Sequence, residues 1–143
     1  MKKKILLGLS GSVACSKAEL FVNQNSAKFE FKFLSTHNGL NYLSEEFINS
    51  NNIYSDWSEL SGSPHIELAR WADEIIIYPA SANLISKISS GIADDLLTST
   101  ILMFSKPIYI CPAMHEEMYM NSQIQSNVLN LSKSFLISQD LSF

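Results

Sequence analysis

The sequence is poor in the residues that mark secreted, metal-binding or membrane proteins. Only two of its 143 residues are cysteine and three are histidine, and they form neither a CxxC pair nor a zinc-type spacing. No apolar run reaches the roughly 18–20 residues that a membrane-spanning helix needs. These shortages argue against a disulfide framework, a metal site and a membrane anchor. They predict a cytoplasmic protein.

Glycine and concentrated positive charge are also scarce. The five glycines form neither the GxGxxG dinucleotide fingerprint nor a P-loop. The net charge is −4, and the cationic cluster Lys2–Lys4 is typical of a solubilised terminus, so no nucleic-acid partner is expected. The chain is 46% hydrophobic, which is enough for a core, and 143 residues suit one domain spanning 1–143.

Apolar runs alternate with helical patterns along the chain. Strands are predicted at 4–7, 29–34, 74–78, 107–111 and 135–138, with Gly8 ending the first. Helices are predicted at 13–25, 40–47, 66–71, 83–89, 94–104 and 116–131, and the polar segment 48–64 is predicted to be a surface connection. This alternation indicates an α/β fold: a single-domain, three-layer, Rossmann-like (flavodoxin-like) parallel sheet with helices on both faces.

A parallel sheet places the carboxyl ends of all its strands at one edge, where ligands of such folds bind. The pattern brings four loops to that edge: 8–13, 36–39, 79–83 and 111–115. The first, GLSGSVA, enters a helix and could present backbone N–H groups to a phosphate. Ser10 or Ser12 could equally be a simple helix cap.

The other candidate residues also allow a structural reading beside a functional one. Thr36, Ser81 and Asn83 can hydrogen-bond a ligand or cap a helix. Asp94 and Asp95 suit a helix N-terminus, and His37 is expected at the surface. His65 precedes a short helix; a lone histidine is often structural, yet imidazole is the usual general base near neutral pH.

Four blocks in order resemble one known family: GSVACSK (11–17), HIELARWAD (65–73), PASANLISKISSGIADDLLT (79–98) and PAMHEEMY (112–119). They are similar to the flavin-dependent cysteine decarboxylases, which include phosphopantothenoylcysteine decarboxylases and lantibiotic peptidyl-cysteine decarboxylases. The resemblance covers residues 4–131. It implies FMN as cofactor and the homotrimers, sometimes assembled into dodecamers, that the family builds.

The resemblance also implies a role for each matching residue. The catalytic base would be His65. Substrate would contact Asn83 and His115, and Asp94 and Asp95 would lie at the far end of their tract, near a subunit boundary. The cofactor would contact Ser12, Val13, Ala14, Thr36, Ser81, Ala82, Asn83, Leu84 and Ala113.

The implied reaction is FMN-dependent decarboxylation of a cysteine carboxylate, with 4′-phosphopantothenoylcysteine giving 4′-phosphopantetheine in coenzyme A biosynthesis. A separate phosphopantothenoylcysteine ligase is a possible partner. Leu84, His115 and Tyr119 stand where the family usually has Thr, Asn and Trp.

The chain is also expected to lack the family's C-terminal substrate flap and the cysteine that protonates the enethiol. Two alternatives therefore stay open. One is a peptidyl-cysteine (lantibiotic-type) oxidative decarboxylase. The other is a non-catalytic FMN-binding or regulatory flavoprotein.

Overall fold

The computed structural model describes residues 1–57 and 61–138, which form a six-stranded sheet with helices on both faces. The strands are β1 (Lys3–Leu9), β2 (Phe29–Ser35), β3 (Ile53–Tyr54), β4 (Glu74–Ala80), β5 (Ile108–Pro112) and β6 (Leu136–Ile137). The helices are α1 (Cys15–Asn25), α2 (Glu45–Ser50), α3 (Pro64–Trp71), α4 (Ala82–Ser90), α5 (Leu96–Met103), α6 (Glu116–Tyr119) and α7 (Ser122–Leu131), with a 3₁₀ segment at Asn38–Tyr42.

The strand order is β3-β2-β1-β4-β5-β6, and every pairing is parallel. The predicted α/β architecture is therefore confirmed. Parallel pairing puts the carboxyl ends of β1, β2, β4 and β5 at one edge, as the sequence indicated. No helix in the described part of the chain is long and apolar enough to cross a membrane.

Alternate residues of the central strands build two separate cores because side chains alternate across a sheet. On one face Leu6, Ile75 and Ile77 pack with residues of α3, α4, α5 and α7. On the other face Ile5, Leu7 and Ile76 pack with α1 and with Phe47 of α2. Strands buried on both faces read as continuous apolar runs, which is why β1 and β4 were visible in the sequence.

The sequence analysis was wrong about how β1 ends. Gly8 lies within the strand, paired with Leu34 and Ile77. A Cβ at Gly8 would lie 2.8 Å from Ile77 Cδ1 and 2.9 Å from Leu97 Cδ1. The glycine therefore makes room for the core side chains of β4 and α5, and the turn begins only after Leu9.

Two predicted helices are interrupted by residues that cap the next one. The predicted helix 40–47 breaks at Ser44, whose Oγ accepts a hydrogen bond from Phe47 N–H at 3.1 Å and starts α2. The predicted helix 116–131 breaks at Asn121, whose side chain accepts from Gln123 N–H and Ile124 N–H. Both caps satisfy N–H groups that a helix start would otherwise leave unpaired.

The segment 48–64, expected to be only a connection, contains the end of α2, the short strand β3 and the start of α3. Residues 58–60 lie outside the described residues. β3 pairs with β2 through Phe33–Ile53 and Leu34–Tyr54. Two residues are too few to produce a recognisable alternation.

Both cysteines are buried. Cys15 packs under the first turn of α1, where its Sγ donates to the Ser10 carbonyl oxygen at 3.4 Å. Removal from water raises the pKa of the Cys15 thiol to about 11. The thiol is therefore a packing group at neutral pH, with no nucleophilic character.

Candidate functional site

The loops after β1, β2 and β4 surround a cavity of about 440 Å³ at the carboxyl edge of the sheet. Helix α4 and the segment before α5 complete its wall. The residues that line it are Gly11, Thr36, His37, Asn38, Ser81, Ala82, Asn83, Leu84, Lys87, Asp94, Asp95 and Met118. The predicted candidates Thr36, Ser81, Ala82, Asn83 and Leu84 are thus brought together.

Ser10 fastens the first loop to the third. Its Oγ donates to the Pro79 carbonyl oxygen at 2.6 Å and accepts from Ser81 N–H at 2.8 Å. The side chain is only 1% exposed, so both bonds are made away from water. The sequence analysis considered Ser10 only as a helix cap, whereas the structure shows that it sets the relative position of two cavity walls.

The second loop packs directly on the end of β1. Thr36 N–H donates to the Leu9 carbonyl oxygen at 2.9 Å, and Thr36 Oγ1 accepts from Gly39 N–H at 3.1 Å. A Cβ at Gly39 would overlap Ser35 Oγ and lie 3.1 Å from the Leu9 carbonyl oxygen and 3.2 Å from Ser10 Cα. Gly39 therefore permits the close approach that brings Thr36 to the cavity.

Replacing Gly39 by alanine is expected to destabilise the protein by about 1–3 kcal/mol, because the new methyl group meets backbone atoms that cannot rotate away. It should also displace the Thr36–Asn38 wall. Urea unfolding measures the effect. Asn41→Ala, in the same 3₁₀ segment at an exposed position, is the control and should unfold near the wild-type midpoint. Equal midpoints for the two variants would show that the loop can move away from β1 at no cost.

The predicted phosphate loop forms the entry to α1. Ser12 Oγ accepts from Ala14 N–H at 3.2 Å, and the Ser12 carbonyl oxygen accepts from Cys15 N–H. Within the described residues, the backbone N–H groups of Gly11, Ser12 and Val13 have no partner. Val13 is 83% exposed. The N-cap of α1 is Ala14, which has no side-chain cap bond, so the predicted cap at Ser12 does not form. The phosphate role of this turn stays a prediction.

At the start of α4 the structure separates three adjacent residues by role. Ser81 is the N-cap, and its Oγ accepts from Leu84 N–H at 3.2 Å. Asn83 is exposed at the cavity. Leu84 is 1% exposed and belongs to the core beneath the sheet. At the position where the family usually has threonine, this chain therefore has a side chain that fills the core.

The acidic pair, expected at the far end of its tract, lies in the cavity wall, and its place near a subunit boundary stays a prediction. Lys87 Nζ contacts both carboxylate oxygens of Asp94, at 2.9 and 3.1 Å, and lowers the pKa of that carboxyl. Asp95 caps α5 in a reciprocal box with Thr98. The glycine turn at Gly91, φ 71°, returns the chain after α4 and brings both acids back to the cavity.

The fourth loop is tied to the third but does not line the cavity. Ala113 N–H donates to the Ala80 carbonyl oxygen at 3.0 Å. His115 is exposed and precedes α6, and Met118 of that helix reaches the cavity. Ala113 and His115 are therefore not among the lining residues, whereas Met118, which the sequence analysis missed, is.

His65 also stands outside the cavity lining. It follows Pro64 in the first turn of α3, and its imidazole meets the Trp57 ring in a T-shaped contact with centroids 5.0 Å apart. Its Nδ1 is buried and has no hydrogen-bond partner in the described chain. Within residues 1–57 and 61–138, no group of three histidine, cysteine or acidic side chains is placed to hold a metal ion.

Comparison with curated proteins gives close relatives in coenzyme A biosynthesis. A putative phosphopantothenoylcysteine decarboxylase of Dictyostelium discoideum is 40% identical over 134 residues, covering 84% of this chain and 68% of that protein. The bifunctional protein CoaBC of Vibrio cholerae is 36% identical over 137 residues, covering 90% of this chain. The chain spans about a third (34%) of that longer protein.

Solved structures give the same fold. A PPC decarboxylase mutant complexed with pantothenoylaminoethenethiol superposes with a TM-score of 0.89 at 31% identity, covering 99% of this chain and 84% of that one. The FMN-dependent cysteine decarboxylase SpaF gives 0.84 at 29% identity, with 94% and 82% covered. The Flavoprotein family model matches residues 1–139. The chain therefore belongs to the flavoprotein family.

Proposed function

We propose that the chain binds FMN and decarboxylates 4′-phosphopantothenoylcysteine to 4′-phosphopantetheine, as a carbon–carbon lyase of coenzyme A biosynthesis. The observation that carries this proposal is the 440 Å³ cavity at the carboxyl edge of the sheet, with the family's block 79–98 in its wall. The names of the Dictyostelium and Vibrio relatives support the substrate. The ligand of the similar PPC decarboxylase supports a small molecule over a peptide.

The turn before α1 fits the FMN phosphate. Three consecutive backbone N–H groups, at Gly11, Ser12 and Val13, lack a partner within the described residues. They adjoin an eleven-residue helix whose N-terminus favours an anion. A Cβ at Gly11 would collide with Asn38 Nδ2, so glycine also keeps the first and second loops close together.

The remaining residues would hold the ring and the substrate. Thr36, Ser81, Ala82 and the α4 backbone at Leu84 would contact the flavin, and Ala113 would extend this surface from the fourth loop. FMN would supply the two-electron acceptor for oxidation of the substrate's CH₂–SH group, which makes loss of CO₂ possible, and would return the same two electrons to give the saturated thiol product. Asn83 and His115 would bind the substrate carboxylate through hydrogen bonds, and His65 would take the thiol proton.

The purified protein is expected to be yellow, with the visible bands of oxidised flavin. Val13→Asp should weaken FMN binding about tenfold or more, because it places a carboxylate beside the phosphate. Leu20→Asp is the matched control: it adds the same charge at an exposed apolar position of α1. A colourless protein that FMN cannot reconstitute would contradict the proposal, as would equal FMN affinities of the two variants.

The alternative substrate is a peptide with a C-terminal cysteine, and the similarity to SpaF, an FMN-dependent cysteine decarboxylase, favours it. Incubation with each substrate, followed by mass spectrometry, separates the two. The proposal predicts loss of CO₂ from phosphopantothenoylcysteine. Conversion of the peptide alone would assign the chain to the peptidyl-cysteine enzymes. FMN binding with no turnover of either substrate would leave the regulatory alternative.

With this function we expect the protein to form a homotrimer in the cytoplasm. Exposed apolar side chains, such as Met118 (48%) in the cavity wall and Ile92 (45%) after α4, support burial against a neighbouring subunit. A trimer would place FMN between subunits, and trimers could assemble further into a dodecamer. The name of CoaBC, a bifunctional protein of coenzyme A biosynthesis, supports a ligase as the partner of this activity. Analytical ultracentrifugation measures the assembly state.

A further inference from the structure

The imidazole of His65 lacks the hydrogen bond that usually orients a catalytic histidine. In such residues a carboxylate or carbonyl normally binds the ring nitrogen that does not face the substrate, and so fixes the direction of the ring. His65 Nδ1 is shielded from solvent and has no partner within residues 1–57 and 61–138. Something other than a hydrogen bond must hold this ring.

Packing of α3 fixes the backbone around His65, but no hydrogen bond to Nδ1 fixes the direction of its ring. Pro64 occupies the first helical position of α3 and is buried, and Leu68 and Ala69 anchor the next turn in the core. The N-cap, Ser63, makes no side-chain hydrogen bond to the helix. These contacts fix the position of the His65 Cα. The rotation of the imidazole depends on the side chains that contact it.

The indole of Trp57 is the aromatic group in contact with that imidazole. The two ring centroids are 5.0 Å apart and the planes meet at 69°, which is the edge-to-face arrangement that aromatic pairs prefer. Trp57 is 41% exposed, so its ring is not part of either hydrophobic core.

We propose that Trp57 is a positioning residue for His65. Its ring contact replaces the missing hydrogen bond to Nδ1 and keeps Nε2 as the nitrogen directed to the substrate. This inference rests on the proposed function, in which His65 acts on the substrate thiol. It concerns orientation, so Trp57 should affect the rate of turnover more than the binding of FMN or substrate.

Three variants test the inference in the FMN-bound, full-length protein. Trp57→Ala removes the contact, and Trp57→Phe keeps a flat aromatic ring. Tyr42→Ala removes an aromatic side chain of matching exposure, 42%, that neither contacts His65 nor lines the cavity. For each protein, kcat, KM and bound FMN are measured, the last from the visible absorbance of the purified sample.

Trp57→Ala is expected to lower kcat about ten- to hundredfold, because a small misplacement of a reacting group costs this much. Its KM and FMN content should stay close to wild type. Trp57→Phe should recover most of kcat, and Tyr42→Ala should retain it. Unchanged kcat in Trp57→Ala would overturn the inference. Parallel loss of FMN and activity in both Trp57 variants would also overturn it, because that result indicates a structural role.

A second measurement does not depend on activity. With labelled histidine, the ring signals of the three histidines can be resolved by NMR, and His65→Asn identifies the one from His65. Trp57→Ala should shift that signal, because the indole ring current is lost, and leave the other two in place. An unshifted His65 signal would overturn the contact itself. Full turnover by His65→Asn would instead overturn the role of His65 as catalytic base, whatever the NMR result.

Discussion

His65→Asn is expected to lower decarboxylation by about 10²–10⁴-fold while the protein keeps its FMN. Asparagine preserves much of the size and polarity of imidazole but cannot accept a proton near neutral pH. His65 lies outside the residues that line the cavity, so its replacement leaves the cofactor contacts intact. Turnover is measured as CO₂ release, and FMN content as visible absorbance.

The control for this change is Ser63→Ala. Ser63 is two residues away and caps α3 without a side-chain hydrogen bond, so the alanine should retain wild-type turnover. If His65→Asn were fully active, proton transfer would have to be assigned to another group. If it lost FMN together with activity, His65 would be part of the binding site, and a role as catalytic base would lose its support.

Leu84→Thr is expected to destabilise the protein by about 2–4 kcal/mol, although threonine is the residue that the family resemblance predicts here. The leucine side chain is 1% exposed within a core. Threonine would remove part of that apolar volume and bury a hydroxyl.

Urea unfolding measures this effect, and Leu84→Met is the control because it conserves volume and should cost less than about 1.5 kcal/mol. FMN affinity should not rise in the threonine variant. A threonine protein as stable as wild type, with tighter FMN binding, would show that this side chain faces the cofactor. The departure at Leu84 would then weaken the site, whereas a buried leucine leaves the site chemistry unchanged.

The sequence predicted the parts of the fold that depend on local pattern. β1, β4 and β5 were visible because parallel strands buried on both faces are continuous apolar runs. The parallel order then placed Thr36, Ser81 and Asn83 at one edge, and the structure brings them to one cavity. Loops that follow strands are the part of a site that topology alone can locate.

The missed features depend on contacts between distant segments. β3 is a two-residue strand that exists through its pairing with β2. Lys87, Asp94 and Asp95 reach the cavity because Gly91 reverses the chain, a signal that the sequence does contain as glycine after a helical pattern. Trp57 lies in a polar stretch without periodicity, so its contact with His65 could be found only from the coordinates.

The two hydrogen bonds of Ser10 Oγ affect the order in which the protein assembles. Strands β1–β3 come from residues 3–54 and β4–β6 from residues 74–137, and the two groups meet where β1 pairs with β4. Ser10 Oγ joins them at the carboxyl end of that seam. A nascent chain thus gains its cofactor pocket only after both halves have docked. Flavin binding would therefore follow the docking of the two halves, and bound cofactor would stabilise the docked state.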